Sequence, residues 1–396
     1  MSTTFRTIKV FSCLTLSLFF SNAFSLDYNQ HIKLDASFLQ FPDSSPLVLN
    51  DDASQSLQFI NYRLNLSEQI DNVQFETHYE LLSLHSDRSI LQSTDPDQHR
   101  LFDLTSTITD SPSQQTYHRL DRLLVSYNTD NITTRFGRQA ITWGNGFVFN
   151  VMDLFNPFSP TAIDTEYKPG DDMLYIQTIL ASNSDWQFIY LPRRNNDSDI
   201  KKSESSFAAK FHTTISSSDL EFLVSQHYNE EIFGFGFNYP VADSMWRMDI
   251  TQTRTNTDKN ITSLSTNMDY SWTSFNKNFY GFVEYYYNGF GTDKSGETAN
   301  TLLLDRVARG EFYALFKRYL AAGLRIEIHP LINLSPTLIQ NLTDNSALLS
   351  LTAQYDWLQN LSLTGQLLLS QGNAASEYGG QLSQGDSLHL LMSVYF

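Results

Sequence analysis

Apolar and polar residues alternate along most of this chain, in segments of about ten residues each. In one segment Val73, Phe75 and Thr77 point one way while Gln74 and Glu76 point the other. A period of two with one apolar face predicts a β-strand that lies between an apolar and a polar environment. Eighteen such segments are recognisable between residues 28 and 396, and merging the weakest of them leaves sixteen.

The connections between these segments are of two kinds. Some are short turns of Asp, Asn and Ser, such as residues 128–131 and 216–218, whereas residues 85–115, 253–260 and 291–300 are long and polar. Short turns at one end and long loops at the other are typical of transmembrane barrels. A sheet in lipid must also close, because an open edge leaves unpaired backbone groups in hydrocarbon. The sequence therefore predicts an all-β fold, a transmembrane antiparallel up-and-down β-barrel of 16–18 strands.

The composition fits a wall with one face in lipid and the other in water. Only 17% of the residues are charged, whereas soluble domains carry about 25%. Aromatic residues make up 14% of the chain, and the mean hydropathy is −0.30, which excludes a bundle of apolar helices. The net charge of −17 argues against nucleic acid as a partner.

The first 25 residues have the pattern of a cleaved signal peptide. Arg6 and Lys9 precede an apolar run, and residues 23–25 read Ala-Phe-Ser, a small-x-small cleavage site. We expect residues 26–396 to form a single barrel in the outer membrane of a Gram-negative cell. The one cysteine, Cys13, lies in the signal peptide, so the mature chain has no thiol for a disulfide, a metal site or covalent haem attachment. No cofactor is expected.

One segment departs from the alternation. Residues 137–160 read GRQAITWGNGFVFNVMDLFNPFSP, where glycines and prolines interrupt a sequence that is too apolar for a solvated loop. Because a barrel of this size is wide enough to hold water, we expect residues 143–170 to fold inward and narrow the bore. A cap over the barrel mouth and a contact surface for a partner are the alternatives. Gly137 could host a bulge that turns Arg138 from the lipid toward the bore.

The same segment carries a family resemblance. Gly-Arg-Gln, then Trp-Gly, then Asp-Leu-Phe-Asn-Pro within residues 135–172 resembles a motif of poorly characterised Gram-negative outer-membrane barrels of the porin-like and alginate-export-like group. The resemblance implies an outer-membrane pore without fixing its solute. Alginate exporters line the bore with arginine, whereas inward positions here carry both signs of charge, which disfavours export of a polyanion. The family positions would be Arg138, Gln139, Trp143, Gly144, Asp153, Asn156 and Pro157.

Two sets of candidate functional residues follow. We expect Asp164 or Asp171 to pair with Arg135 or Arg138 rather than to hold a metal ion. The pore and constriction set comprises Arg138, Gln139, Trp143, Asn145, Phe149, Asp153, Phe155, Asn156, Asp164, Lys168, Asp171 and Asp172. The set facing the lumen from the strands comprises Glu76, His78, Glu80, Lys210, Arg247, Asp249, Arg325 and Glu327.

The C-terminal residues predict how the barrel is assembled. Leu388, Leu390 and Met392 are apolar at every second position, and Val394 and Phe396 complete the pattern. This ending resembles the C-terminal signature of Gram-negative outer-membrane barrels, which the assembly machinery reads. The resemblance implies two partners, outer-membrane lipid and the barrel-assembly machinery, with Val394 and Phe396 as the signal.

The sequence favours a porin-like channel for passive diffusion of small polar or amphipathic solutes. The alternative is a barrel without a channel, acting as a sheath or docking platform for a periplasmic partner or in surface-polymer export. An enzyme is not expected, because no Gly-x-Ser-x-Gly elbow occurs; His78 with a serine of a neighbouring strand is the one candidate for a triad. The sequence leaves open whether the barrel is a monomer or a homotrimer.

Overall fold

The computed structural model describes residues 26–48, 52–89, 91, 95–181, 183–294, 301–381 and 383–396. The predicted signal peptide lies outside these residues, so its cleavage stays a prediction. The strands are β1 Asp27–Gln40, β2 Ser54–Ile70, β3 Val73–Ser86, β4 Thr105–Ser111, β5 Gln114–Asn128, β6 Ile132–Gln139, β7 Asp171–Leu180, β8 Ser184–Leu191, β9 Ser206–Ile215, β10 Ser218–His227, β11 Glu230–Val241, β12 Ser244–Arg254, β13 Asn260–Ser274, β14 Lys277–Tyr287, β15 Arg318–His329, β16 Ile332–Asn341, β17 Ala347–Leu358, β18 Leu361–Gln371 and β19 Asp386–Tyr395, and helix α1 spans Thr301–Ala308.

Eighteen of these strands form a closed antiparallel ring. Each pairs with the next along the chain, except that β3 pairs directly with β5. Pairing of β1 with β19, from His31 opposite Tyr395 to Gln40 opposite Asp386, closes the ring. Strand β4 lies outside this order and pairs with the part of β5 that extends beyond β6. The predicted fold, an up-and-down barrel at the upper end of 16–18 strands, is confirmed.

The two faces of the sheet differ as the alternation predicts. Trp246 and Met268 lie opposite each other on β12 and β13 and are exposed on the outer surface. Asp249 and Ser265, a pair on the other face of the same two strands, are buried inside the barrel. The outer face is therefore the apolar one. No helix in the described residues is long and apolar enough to cross a membrane.

The two ends of the barrel also differ. Eight connections of two or three residues lie at the end that holds both termini of the barrel, and positive φ angles at Asp71, Ser216 and Ala242 close three of them. The connections between strands of the ring at the opposite end have five residues or more, except that only Tyr228 and Asn229 join β10 to β11. In outer-membrane barrels the end with short turns faces the periplasm.

The apolar core lies inside the barrel rather than in its wall. It forms where the segment between β6 and β7 packs against inward side chains of the strands. A water-filled barrel has a polar interior, so this core indicates that part of the bore is filled by protein. Its members on the segment are Trp143, Phe149, Val151, Met152 and Phe155, and those on the wall include Tyr175, Ile189, Leu223, Tyr286, Tyr319, Ile339, Leu348 and Leu368.

Candidate functional site

The candidate site is the stretch of residues 140–170, here called the bore segment, which connects β6 to β7. It begins against the wall formed by β8 and β9. The indole Nε1 of Trp143 donates to Gln187 Oε1 at 2.8 Å, and the Lys210 ammonium lies 5.6 Å from the centre of the Trp143 ring. Gly144 follows with φ of +84°, which turns the chain away from this wall.

Two carboxylates of the wall then bind the backbone of the bore segment. Asp249 accepts hydrogen bonds from the backbone nitrogen and the side-chain amide of Asn145, at 2.5 and 2.8 Å. Glu284 accepts the backbone N–H groups of Phe147, Val148 and Phe149 at 2.6, 3.1 and 2.8 Å. A carboxylate that accepts several backbone hydrogen bonds holds the chain firmly, because these bonds are charge-assisted. Residues 145–149 are thereby fixed to β12 and β14.

An internal ion pair closes the middle of the bore segment. Lys168 Nζ lies 2.7 Å from both carboxylate oxygens of Asp153, and it also donates to the carbonyl of Ile141 at 2.7 Å. Both charged side chains are buried. Burial raises the pKa of Asp153 to about 6 and lowers the pKa of Lys168. Their mutual attraction opposes both changes, so the pair joins the two halves of the segment.

The far end of the bore segment reaches the strands where the ring closes. Lys33 on β1 pairs with Asp164 at 2.7 Å and with Glu166 at 2.6 Å. Tyr395 on β19 donates to Glu166 at 2.8 Å. The guanidinium of Arg63 on β2 lies 4.1 Å from the centre of the Tyr167 ring. In the ring of eighteen strands β12 stands nine places from β2, so the bore segment crosses the barrel from one wall to the opposite one.

The position of Arg138 differs from the expectation that a bulge at Gly137 turns it into the bore. Gly137 has φ of +124°, but Arg138 stays opposite Leu123, which is exposed on the outer face. Its guanidinium is buried between Asp172 on β7, at 2.8 Å, and Asp97, also at 2.8 Å. A side chain enclosed in this way cannot contact a solute in the bore, so Arg138 and Asp172 fix the wall where it meets residues 97–104.

The expected pairing of the acidic residues is also different in the structure. Asp164 binds Lys33, and Asp171 lies 3.3 Å from Arg100 and 3.4 Å from Arg193. Asn156, with φ of 53°, donates to Asp171 at 3.2 Å. The partners of these acids come from other parts of the chain, which a reading of neighbouring residues could not find.

The remaining residues of the predicted constriction set are mostly buried. Gln139 donates to the carbonyl of Met173 at 3.2 Å. The Phe155 ring lies edge-on to Trp143, with 5.8 Å between ring centres. Phe149 stacks on Tyr286 with ring centres 4.5 Å apart. These side chains hold the bore segment in place.

The lumen-facing set lies on the inward side of the strands, mostly in ion pairs. The pairs are Glu76 with His78 at 3.1 Å, Lys210 with Glu221 at 2.9 Å, and Arg247 with Asp269 at 3.2 Å. Glu80 contacts Arg63 and Arg119, and Asp249 binds the bore segment. Arg325 is exposed near the short turns, and Glu327 there accepts from Asn278 at 2.9 Å.

A cluster of arginines on β2 and β5 was missed by the sequence analysis. Arg63, Arg119 and Arg122 surround Asp121, whose carboxylate lies 2.7 Å from Arg122 and 3.0 Å from Arg63. A bulge opposite His78 places Asp121 and Arg122 side by side. The alternation on β2 could have revealed Arg63, but the bulge has no clear sequence signal.

A serine, a histidine and a glutamate resemble a hydrolytic triad but have no access for a substrate. Ser206 Oγ lies 2.7 Å from His227 Nδ1, and His227 Nε2 lies 3.3 Å from Glu311 Oε1. Ser206 and His227 are 1% exposed, and Arg193 donates to the serine hydroxyl at 2.6 Å. We interpret these three residues as a structural contact that holds the α1 region against the wall. His78, the histidine singled out by sequence, contacts Glu76 and Arg63.

The C-terminal signal residues lie on the closing strand. Val394 stands between Ile32 of β1 and Leu361 of β18, and the Phe396 side chain is exposed. Their reading by assembly machinery stays a prediction. Within the described ranges, no group of three or more His, Asp or Glu side chains is arranged to hold a metal ion.

Solved structures of outer-membrane proteins share this fold at low sequence identity. OccAB2 of Acinetobacter baumannii aligns with a TM-score of 0.58 and 10% identity over 94% of this chain and 98% of its own. A BenF-like porin from Pseudomonas fluorescens Pf-5 aligns with a TM-score of 0.55 and 10% identity over 94% of this chain and 98% of its own. Pseudomonas aeruginosa OpdK, solved with vanillate, aligns with a TM-score of 0.52 and 11% identity over 93% of this chain and 98% of its own. No family model and no curated protein matches the sequence. The resemblance of residues 135–172 to the alginate-export-like group stays a prediction.

Proposed function

We propose that this protein is an outer-membrane channel through which small polar or amphipathic solutes diffuse passively, with the bore segment as its constriction. The observation that carries the proposal is that this segment joins opposite walls of a closed barrel, from Asp249 to Lys33. A barrel that served only as a sheath would have no need of a fixed internal crossing. The fold shared with solved porins supports a channel rather than an enzyme.

The side chains that remain partly accessible inside the barrel define the surface a solute would meet. Phe147 is 41% exposed, and the Arg247 guanidinium lies 5.0 Å from the centre of its ring. Tyr280 completes this surface, because its ring lies edge-on to Phe147 and its hydroxyl donates to Asp269. An aromatic ring, a cation and a phenol suit a solute with both polar and apolar parts.

The conductance of single barrels tests the channel. Purified protein in a planar bilayer should show discrete open steps, and deletion of residues 145–165 should enlarge them, because the deletion removes the crossing. Deletion of residues 256–258 in the loop between β12 and β13 is the matched control and should leave the steps unchanged. A barrel that stays closed in both the wild type and the 145–165 deletion would overturn the proposal and favour a docking platform or a role in polymer export.

We also propose that the mature chain begins after residue 25 and is inserted by the barrel-assembly machinery through β19. The alternating apolar residues of β19 and the exposed Phe396 beside it support this step. N-terminal sequencing of protein from the outer-membrane fraction should give Leu26 as the first residue. Recovery of the mature chain from the periplasm without detergent would contradict both the location and the channel.

A further inference from the structure

A cavity of about 360 Å³ lies inside the barrel beside the bore segment. Its wall is formed by Ile339, Leu348 and Leu368 on three neighbouring strands, and α1 adds Leu304 and Val307. Inward apolar residues on three successive strands are unusual for the interior of a membrane barrel, which is normally polar. The cavity is therefore a local apolar site within the path between the long loops and the bore segment.

One carboxylate lines this cavity. Glu377 is buried and accepts hydrogen bonds from the Leu315 backbone N–H at 2.8 Å, the Tyr319 hydroxyl at 2.7 Å and the Asn341 amide at 2.8 Å. All three donors are neutral. None of the described residues that line the cavity is Lys, Arg or His. A carboxylate inside a protein is normally paired with a positive charge, so Glu377 lacks a counter-charge.

We infer that this cavity binds a small solute that has an apolar body and a positively charged amino group, with the amino group paired to Glu377. The inference rests on the proposed channel and names the class of solute that the channel favours. An ammonium ion would supply the missing counter-charge. Oε1 of Glu377 accepts one hydrogen bond whereas Oε2 accepts two, so Oε1 keeps a free acceptor position.

The size and the rim of the cavity agree with this class of solute. Small-molecule sites span about 300–1,000 Å³, so the cavity suits a molecule the size of a single aromatic ring with a short chain. Leu304 and Tyr313 line it and are each 46% exposed, which leaves the apolar surface open to solvent. A carboxylate solute would meet a like charge at Glu377 and no cation in the lining.

Simple packing of loops against the wall accounts for only part of this arrangement. It explains why the apolar wall residues are buried, since Phe149 and Tyr378 pack beside them. It does not explain the unfilled volume, because apolar loop packing normally closes voids of this size. It also leaves the carboxylate without a counter-charge.

Blockade of single-channel current by a matched pair of probes tests the inference. Phenethylamine and phenylacetate share a ring and chain length but carry opposite charges. Phenethylamine should give resolved blockades, and Glu377→Gln should shorten their residence time about tenfold, the worth of one charge-assisted hydrogen bond. Leu304→Ala, a change at an exposed position, should shorten it several-fold without the risk of misfolding. Glu231→Gln, at an exposed position of β11 on the same face as the exposed Phe233, is the control and should have no effect.

The outcomes separate this inference from the proposed channel. The channel stands but the amine site is overturned if open steps occur and phenylacetate blocks them as well as phenethylamine does. The same conclusion follows if phenethylamine blocks Glu377→Gln and Leu304→Ala for as long as it blocks the wild type. Absence of any open steps counts against the channel. In that case, calorimetric titration of the detergent-solubilised protein with phenethylamine decides the site, and binding that Glu377→Gln does not weaken overturns it.

Discussion

Glu284 carries more of the attachment of the bore segment than any neighbouring side chain. Three backbone N–H groups of the segment donate to its carboxylate. Glu284→Ala leaves these donors buried without a partner, at about 1–3 kcal/mol for each group that water cannot reach. We expect residues 145–149 to leave the wall and the conductance to rise. Single-channel recording in planar bilayers measures this conductance, and the expected result is brief current steps of variable size.

A control separates release of the segment from general loss of stability. Glu221→Ala removes an inward carboxylate of β10 that pairs with Lys210 and does not bind the segment backbone. It should lower the urea midpoint slightly with the conductance unchanged. Equal conductance in wild type and Glu284→Ala would show that the three hydrogen bonds do not hold the segment.

Gly137 tests the local backbone at the end of β6. A Cβ at this residue would lie 2.1 Å from the carbonyl oxygen of Leu123, and its φ of +124° is one that side chains rarely adopt. We expect Gly137→Ala to destabilise the barrel by about 2 kcal/mol or more. Urea unfolding followed by tryptophan fluorescence measures this. Gly365→Ala on β18, whose nearest neighbour lies at 3.7 Å, should cost much less.

Glu377 gives the barrel a pH dependence of known sign. Burial raises the pKa of Glu377 to about 7 from 4.5, against the hydrogen bonds that lower it. The folded state therefore binds the proton more tightly than the unfolded state. The contribution of Glu377 to the free energy of unfolding is complete below pH 4.5 and is lost as the pH rises through 7. We expect a loss of about 1–3 kcal/mol between pH 5 and 8. The urea midpoint of Glu377→Gln should change less over that range, and parallel curves would contradict the assignment.

Arg138 shows where inference from single residues ends. Its parity with Phe136 placed it on the outer face, and the strand register confirms that parity. The bulge at Gly137 that could have turned this charge toward the bore does not do so, because Asp97 and the carbonyl of Phe102 bind the guanidinium where it lies. These partners lie about 40 residues away in a long loop, and no local pattern indicates that the loop folds back.

At the scale of elements, the bore segment was recognisable because its composition conflicted with its surroundings. Apolar residues without a strand period must be buried, and the wide bore was favoured over a cap on the barrel mouth or a contact with a partner. The sequence therefore predicted the segment and its direction. It did not predict the attachment points, since Asp249 and Glu284 lie 104 and about 136 residues further along the chain.

The far attachment of the segment depends on Tyr167. Its ring stacks on His31, with centres 5.4 Å apart, and lies over Arg63. Tyr167→Ala removes both contacts, and we expect a loss of about 1–2 kcal/mol of stability together with noisier current as residues 164–167 become mobile. Tyr28→Ala, at an exposed position of β1, is the control. Equal noise in the two variants would mean that Tyr167 does not anchor the segment.

The short strand β4 could not be predicted, because it does not separate an apolar environment from a polar one. Residues 85–115 were interpreted as one long polar loop, yet Thr105–Ser111 pairs with β5. Its sequence, TSTITDS, is polar because it extends the sheet beyond β6 rather than facing lipid. A period of two with one apolar face reports only strands that separate unlike environments.

The whole molecule was the most predictable level. Every one of the eighteen predicted segments is a strand of the ring, because each must present one face to an apolar environment and the other to a polar one. This constraint acts on every residue of the wall. Contacts inside the barrel have no such periodicity, so sequence alone predicts the wall better than its contents.

Two tryptophans distinguish the inside of the barrel from its outside. Trp246 is exposed on the outer face, whereas Trp143 is buried within the bore segment. In variants that retain one of these residues and carry Phe at the other tryptophan positions, lipids with brominated acyl chains should quench Trp246 strongly and Trp143 weakly. Similar quenching of both would contradict the assignment of the outer face to lipid.

The contacts of Glu166 have a consequence for the speed with which the ring forms. Strands β1 and β19 must meet although contacting residues such as Ser37 and His389 are 352 positions apart, and joining such distant parts of a chain is entropically slow. Residues 164–166 contact β1 across 131 positions and β19 across 229. Each end of the chain can thus find this midpoint before it finds the other end. The segment that narrows the finished barrel would then also bring β1 and β19 together during folding, so that the two strands pair and the ring closes.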